Sequence, residues 1–382
     1  MDTQKLMSHT DTYPLSTQAE YVKKLRPLMP AEAFAPDPTQ VWSLPINLAI
    51  VITGWEIADY LDQWDVHLLW LYLPLAIVMG NSVIVLLFSS HNLLHSSAVR
   101  NPKLRWILSL LGLTLLWTPP TFWKAVHNRE HHNKTNSFQD PDRNYLYDQP
   151  KTWGKWIQNR FVPSEAVNPF WLAIGMAHAW GVHTFRNLSS VLVYNNGRTD
   201  YTSAAFTVSA KERKAIALEL LFIIAFHLSV FVYLDFNPIK LLLGYFLPIW
   251  IGYSGILFYV YTNHMLCRMT QTNDPLANSL SIRVPRIFDL LHHNFSYHTE
   301  HHIFPGMNSD YYPMLQKVLK ENYPEQFNLL EAKTAWRLLL QSPRHYKDDK
   351  TFTDWTDTNQ MVCPLSAEES RRELISDFML SQ

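Results

Sequence analysis

Two stretches of this chain, Leu68–Phe88 and Leu241–Tyr261, restrict what it can fold into more than any other feature. Each is about as long as a bilayer-crossing helix, which takes about 20 apolar residues. The first is interrupted only by Asn81 and Ser82, and the second is almost wholly apolar. Both are apolar all round rather than along one stripe, which argues against surface helices of a soluble fold. Two further stretches have the length but carry charge. Ser43–Tyr60 is apolar up to Trp55 and then holds Glu56 and Asp59, and Ile216–Leu234 includes Glu219 and His227. Six or seven residues separate the members of each sequential pair. The pattern predicts an all-α, polytopic membrane protein with four transmembrane helices in two hairpins.

Charge predicts the orientation. The first turn, LDQWDVH, has two Asp and no Lys or Arg, while Lys23, Lys24 and Arg26 precede the first span. Loops bearing Lys and Arg stay cytoplasmic, so the N-terminus and the ends of the second and fourth spans are expected inside. Trp106–Trp117 is apolar but only 12 residues long and is followed by Pro119-Pro120. That length suits an interfacial or re-entrant helix better than a crossing. The expected organisation is a cytosolic N-terminal arm over residues 1–42, a membrane unit over 43–320 and a cytosolic C-terminal tail over 321–382. Residues 134–210 are polar and aromatic and are expected to be mainly loop and interfacial helix.

Composition excludes several classes. Net charge is −1, so no global basic field points to nucleic acid. The two cysteines, Cys267 and Cys363, are too few for a four-cysteine iron–sulfur cluster within one chain and give no disulfide framework. The first 17 residues have no apolar core and do not match a signal peptide. Mean hydropathy is only −0.11, so much of the chain lies outside lipid.

The histidines are clustered. HNLLH places His91 and His95 at i and i+4, HNREHH places His127, His131 and His132 together, and NFSYHTEHHIFP holds His298, His301 and His302. These boxes hold eight of the chain's 17 histidines, and a surface run repeated three times is improbable. Positions i, i+3 and i+4 share one helix face, so the last three rings can converge on one point. His264, at the inner end of the fourth span, makes nine near one cytoplasmic surface. A catalytic zinc needs about three protein ligands and a structural zinc about four, so nine rings suit two metals. Imidazole binds iron, copper, nickel and zinc alike. A metal pair beside the bilayer faces hydrocarbon, whose C–H bonds call for a redox metal and O2, and iron is the economical choice.

The order HxxxH, HxxxHH, HxxHH, with the flanks HHNKTNSFQDPDRN and NDPLANSLS, resembles the membrane fatty acid desaturase family over roughly residues 40–320. The resemblance implies four transmembrane helices under a cytosolic helical cap that holds two Fe ions, and removal of hydrogens from an acyl chain with O2 and two electrons. It implies His91, His95, His127, His131, His132, His298, His301 and His302 as ligands, with His264 matching an additional ligand after the last span. The second box has three residues between its first two histidines where many relatives have two, which bears on His127. A fatty acyl or carotenoid hydroxylase or ketolase of the same family is the nearest alternative. A b-type cytochrome would need ligands inside facing spans, and a zinc hydrolase fewer of them.

Other polar residues have plainer readings. Asn294 could support a ligand through water, Asp140 and Asp142 could orient second-box rings or form a loop turn, and Glu300 is expected to be solvated or to back a ligand. His178 and His183 are expected to be structural, His227 hydrogen-bonded within the bundle, and His292 and His293 at most supporting. An external electron donor is expected, a ferredoxin or a small b-type cytochrome. Lys124, Arg129, Lys134, Arg143, Lys151, Lys155 and Arg160 could steer an acidic partner or merely mark the cytoplasmic side.

Overall fold

The computed structural model describes residues 13–96, 98–142, 153–194 and 206–365. It is mostly helical. In chain order the first helices are α1 (Gln18–Leu25), α2 (Ser43–Ala58), α3 (Leu73–His95), α4 (Pro102–Thr114) and α5 (Pro120–Trp123). They are followed by α6 (Trp153–Phe161), α7 (Pro169–Leu192), α8 (Ala210–Tyr233), α9 (Pro238–Lys240) and α10 (Leu247–His264). The last are α11 (Pro275–Asn278), α12 (Arg286–Leu291), α13 (His298–Ile303), α14 (Tyr312–Asn322) and α15 (Ala332–Gln341).

Four continuous helical stretches among the described residues are long and apolar enough to cross a membrane: Pro38–Gln63, Val66–His95, Ala210–Tyr233 and Pro238–His264. They coincide with the four stretches read from sequence. Their pairing is only half as expected. α2 and α3 pack as a hairpin, but α10 packs principally on α3, and α8 leans on α4, α5 and α7. The reason lies in two glycines. A Cβ at Gly80 would stand 2.6 Å from Ile251 Cγ2, and one at Gly252 would stand 2.6 Å from Val83 Cβ and 3.1 Å from the Gly80 carbonyl. Small residues at both contact points let the α3 and α10 backbones approach, as in membrane helix interfaces generally. α8 keeps its link to the start of the last span through His227, Phe231 and Tyr245.

α4 does not cross. Its C-terminal carbonyls end inside the bundle, where a helix end needs partners because water is absent. Three helices supply them. Thr114 O accepts from His227 Nε2 (3.0 Å), Leu115 O from the Tyr253 hydroxyl (2.8 Å) and Leu116 O from Trp180 Nε1 (3.1 Å). Trp117 then adopts φ 56° and stacks on His227, turning the chain back into α5. Glu219 of α8 fixes both limbs of this re-entrant unit, accepting from Trp106 Nε1 (2.7 Å) and from the backbone and hydroxyl of Thr121 (2.9 and 2.6 Å).

Where it is described, the region 134–210 consists of loop and of the helices α6 and α7. Pro169 at the first helical position and Asn168 as N-cap start the 24-residue α7, which packs on α10. At the end of the bundle remote from the histidine boxes, Lys240 is buried against Asp235 (2.9 Å), Asp59 (3.0 Å) and Asp62 (3.4 Å), tying the two turns together.

The terminal segments pack on the same body as far as they are described. α1, opened by a Thr17–Glu20 capping box, lays Tyr21 and Leu25 against Ile303, Phe304 and Tyr312. β1 (Ser281–Arg283) pairs in parallel with β2 (Leu329–Glu331). An antiparallel sheet of β3 (His345–Tyr346), β4 (Thr351–Thr353) and β5 (Gln360–Val362) sits beside the end of α10, where the Tyr346 hydroxyl donates to Cys267 O (2.7 Å). Residues 321–365 pack against the preceding body through β2, α15 and this sheet.

Candidate metal centre

The end of α3 carries His91 and His95 one turn apart. α5 continues into a π-helical turn, Lys124–Glu130, and a short 3-10 turn that holds His131 and His132. A π-turn takes in one residue more than an α-turn. The extra residue of the second box is absorbed there, and His127 stays with its neighbours. α13 carries His298, His301 and His302, and His264 ends α10.

The nine rings form two adjacent groups, the ligand atoms of each within 4.8 Å of one another: His91, His95, His127, His132 and His301, and His131, His264, His298 and His302. The third box does not converge on one point. His298 and His302 join the second group and His301 the first. Consecutive residues on a helix differ by roughly 100°, so each His-His pair straddles the two groups. His132 and His302 stack across the divide with centroids 4.6 Å apart.

The rings point Nε2 inward. Nε2–Nε2 distances are 3.1 Å for His91–His127, 3.3 Å for His127–His132 and 3.1 Å for His132–His301. In the second group they are 2.8 Å for His264–His298 and 3.0 Å for His298–His302. In five of the rings Nδ1 points outward to a fixed partner. His131 Nδ1 donates to Asp140 (2.8 Å), His264 Nδ1 to Asn278 O (2.8 Å) and His91 Nδ1 to Asn92 Oδ1 (3.1 Å). His301 Nδ1 meets the Tyr312 hydroxyl and His302 Nδ1 that of Thr135, both at 3.2 Å.

These partners decide the chemistry. Carboxylates and carbonyls only accept, so the rings they hold carry their proton on Nδ1 and leave Nε2 as a lone pair. Burial pushes the pKa of His132, His298, His301 and His302 well below the usual imidazole range, and neighbouring imidazoles push further. Burial lowers His127 as well, with Asp142 offsetting part of the effect. Neutral rings then face lone pair to lone pair across about 3 Å in a dry site, an arrangement that calls for a cation. His95 Nε2 is buried without a partner. The donor set fits two imidazole-liganded metal ions, iron among them.

The remaining polar residues fall outside both groups. Asp142 Oδ2 lies 3.5 Å from His127 Nδ1 and 3.8 Å from His131 Nδ1, and its other oxygen is 3.1 Å from His183 Nε2. Burial pushes the Asp142 carboxyl up, and hydrogen bonds from His127 and His183 overcome it, so the group is held well below the usual carboxylate range. Glu300 is buried rather than solvated, bound by Ser281 and Gln316, and burial raises it to about 7. Asn294 has φ 56° and donates to Ser309 O (3.0 Å), away from the rings. His178 bonds Gly175 O in its own helix and stacks on Phe161. His292 meets Tyr259 and Asn81, and His293 meets Ser89. Sequence reasoning gave no role to Tyr312, Thr135 and Asn278: the last two lie in the motif flanks, but spacing does not show which ring each one meets, and Thr135 meets His302, 167 residues away. It also gave His183 no role beside the centre.

Among the candidate steering cations, Arg129 pairs with Glu130 and Glu212, and Lys134 pairs with Glu130. Lys124 is exposed, and Arg160 is exposed with its guanidinium over the Trp156 ring. Arg143, Lys151 and the Lys155 side chain lie outside the described residues.

Comparison with known proteins gives a consistent result. The sequence model of the family described as fatty acid desaturase matches residues 68–332, a span that contains all nine histidines. A chloroplastic omega-6 fatty acid desaturase of Glycine max is 24% identical over 340 residues, covering 85% of this chain and 72% of that protein. An sn-1 oleoyl-lipid 12-desaturase of a Picosynechococcus species is 21% identical over 330 residues, covering 81% of this chain and 85% of that protein. A second chloroplastic omega-6 fatty acid desaturase, from Spinacia oleracea, is 22% identical over 325 residues, covering 81% of this chain and 66% of that protein.

Proposed function

The chain belongs to the fatty acid desaturase family and is an oxidoreductase of that kind, and from that premise we propose that it inserts a double bond into an acyl chain carried by a membrane lipid, using O2 and two irons bound by the nine histidines. The observation that carries this reading is the pair of adjacent, buried imidazole groups at one end of an apolar four-span bundle. His91, His95, His127, His132 and His301 would hold one iron and His131, His264, His298 and His302 the other. Bound iron supplies the O2 activation that breaking an unactivated C–H bond requires. The chain's own residues orient the rings through Asp140, Asn278, Tyr312 and Thr135, and burial keeps bulk water from the site. α3 and α10 run from the bilayer region directly into the histidines, which suits a substrate that stays in the membrane.

The charge of the N-terminal segment supports a site on the cytoplasmic face. Electrons come from a separate donor, a ferredoxin or a small b-type cytochrome. With Arg129 and Lys134 engaged internally, any steering by the described cap cations falls to Lys124 and Arg160. The names of the relatives direct the first assay to oleoyl lipids. Lipid profiling of host cells with and without the protein tests the proposal. A new doubly unsaturated chain is the expected product. A hydroxylated or keto product would move the assignment to the hydroxylase or ketolase alternative, and an unchanged profile with donor and iron supplied would defeat both.

A further inference from the structure

Asp142 reaches one histidine from each group, His127 of the first and His131 of the second. It does so with a single oxygen, Oδ2. A carboxylate held from one side only can turn about its Cβ–Cγ bond and lose its hold on the His127 ring; His131, whose Nδ1–H goes to Asp140 (2.8 Å), is reached through the Asp140–Asp142 unit. The other oxygen, Oδ1, is held by His183 Nε2 at 3.1 Å. A carboxylate only accepts, so His183 donates. Asp142 is also fixed through its backbone, whose N–H donates to Asp140 Oδ1 (2.9 Å), while Asp140 Oδ2 accepts from His131 and from Asn136 N. Asp140 and Asp142 thus form one rigid unit behind the second box, with His183 as its outer end.

His183 comes from α7, whose position is set independently of the box. Trp180 of α7 donates to Leu116 O, and Trp250 of α10 donates to Ile174 O of α7. The helix anchors the carboxylate from the opposite side.

We propose that His183 is a positioning residue of the metal centre, acting through Asp142 to hold His127 and His131 at the angles that both metal sites require. The proposal rests on the two-metal reading given above. It predicts coupled behaviour, since one hydrogen bond on α7 bears on both sites at once. Partners behind metal-bound histidines typically matter by 10–100-fold in metal affinity, and an indirect one belongs at the mild end.

The test uses the full-length protein in detergent, stripped of metal, with Fe(II) alone as the probe under anaerobic conditions. Iron affinity is read by competition with a chelator, and the absorption spectrum of the Co(II)-loaded protein is recorded in parallel. His183→Ala is expected to weaken retention of both irons by about tenfold and to alter the cobalt spectrum, with the melting midpoint of the metal-free protein unchanged. His183→Gln keeps an N–H donor near the Nε2 position and is expected to restore affinity and spectrum. His178→Ala, five residues earlier on the same helix, is expected to match wild type. Wild-type affinity and spectrum in His183→Ala would overturn the proposal. So would a loss that tracks a lower metal-free midpoint and is not rescued by Gln, since that marks a merely structural role. Wild-type protein that takes up no iron would overturn the two-metal reading itself, a result distinct from either.

Discussion

His301 and His302 are neighbours in sequence yet serve different groups, and that division gives the sharpest test at the scale of single residues. Removal of either imidazole should abolish turnover while the protein stays in the membrane. Loss of a supporting partner typically costs 10–100-fold, so loss of a ligand should exceed 100-fold. Iron should fall toward about one per chain rather than to none, because each variant leaves the other group's ligand set whole. Elemental analysis beside turnover checks this, and activity of His301→Ala within about tenfold of wild type would remove the third box from the site. The same rings set a pH dependence. Burial holds His132, His298, His301 and His302 well below the ordinary imidazole pKa of about 6.5. The unfolded chain binds protons that the folded chain refuses, so stability is intact above about pH 6.5 and falls as the pH drops below it. The slope is at most about 1.4 kcal/mol per pH unit for each ring. Metal-free protein should melt lower at pH 5.5 than at 7.5, and a flat melting profile would contradict the neutral, desolvated state. The clustering of the eight box histidines was legible in sequence because box spacing is local, and His264 joined them through its position at the end of the last span. Their division into two groups was not, since it depends on which turn of α13 faces which turn of the second box.

At the scale of elements, the four apolar helices were legible from apolar length, and α4 stood apart from them by its shortness and the prolines after it. The pairing of spans was misread, because adjacency in sequence says nothing about the glycines that bring α3 and α10 together. The second box shows the same limit: an extra residue is visible in sequence, but the π-turn that absorbs it is not. Glu219 ties these elements to the site. Its carboxylate holds Trp106 on α4 and Thr121 at the start of α5, six residues before His127. Glu219→Ala strands three donors in a partly buried setting, at a cost of up to about 1–3 kcal/mol for each that finds no other partner. The expected outcome is a lower melting temperature in detergent and weaker iron retention, although Glu219 touches none of the nine histidines. Glu219→Gln keeps an acceptor and should recover part of both. Unaltered melting and iron content in Glu219→Ala would show that α4 and α5 are held without it.

Orientation belongs to the whole molecule and follows from charge combined with packing. The Lys23, Lys24 and Arg26 segment is at the histidine end, because α1 packs against α13 and α14. Asp62 and Asp65 lie in the turn at the opposite end. Lys240 is an apparent exception to the rule that cations stay inside, since it also lies at the far end, about 36 Å from His264 along a 24-residue helical separation. Its ammonium is buried among Asp59, Asp62 and Asp235, so it adds no free positive charge there and does not oppose the bias set by the N-terminal cations. The histidine face should therefore be cytoplasmic. Single cysteines can read this directly, because Cys267 and Cys363 are fully buried and should give little background labelling. A membrane-impermeant maleimide applied to intact cells should label Asp65→Cys at once. It should label Lys317→Cys, at an exposed position on α14 beside the third box, only after the membrane is opened. The reverse pattern would place the metal centre on the outer face and would exclude a cytoplasmic electron donor.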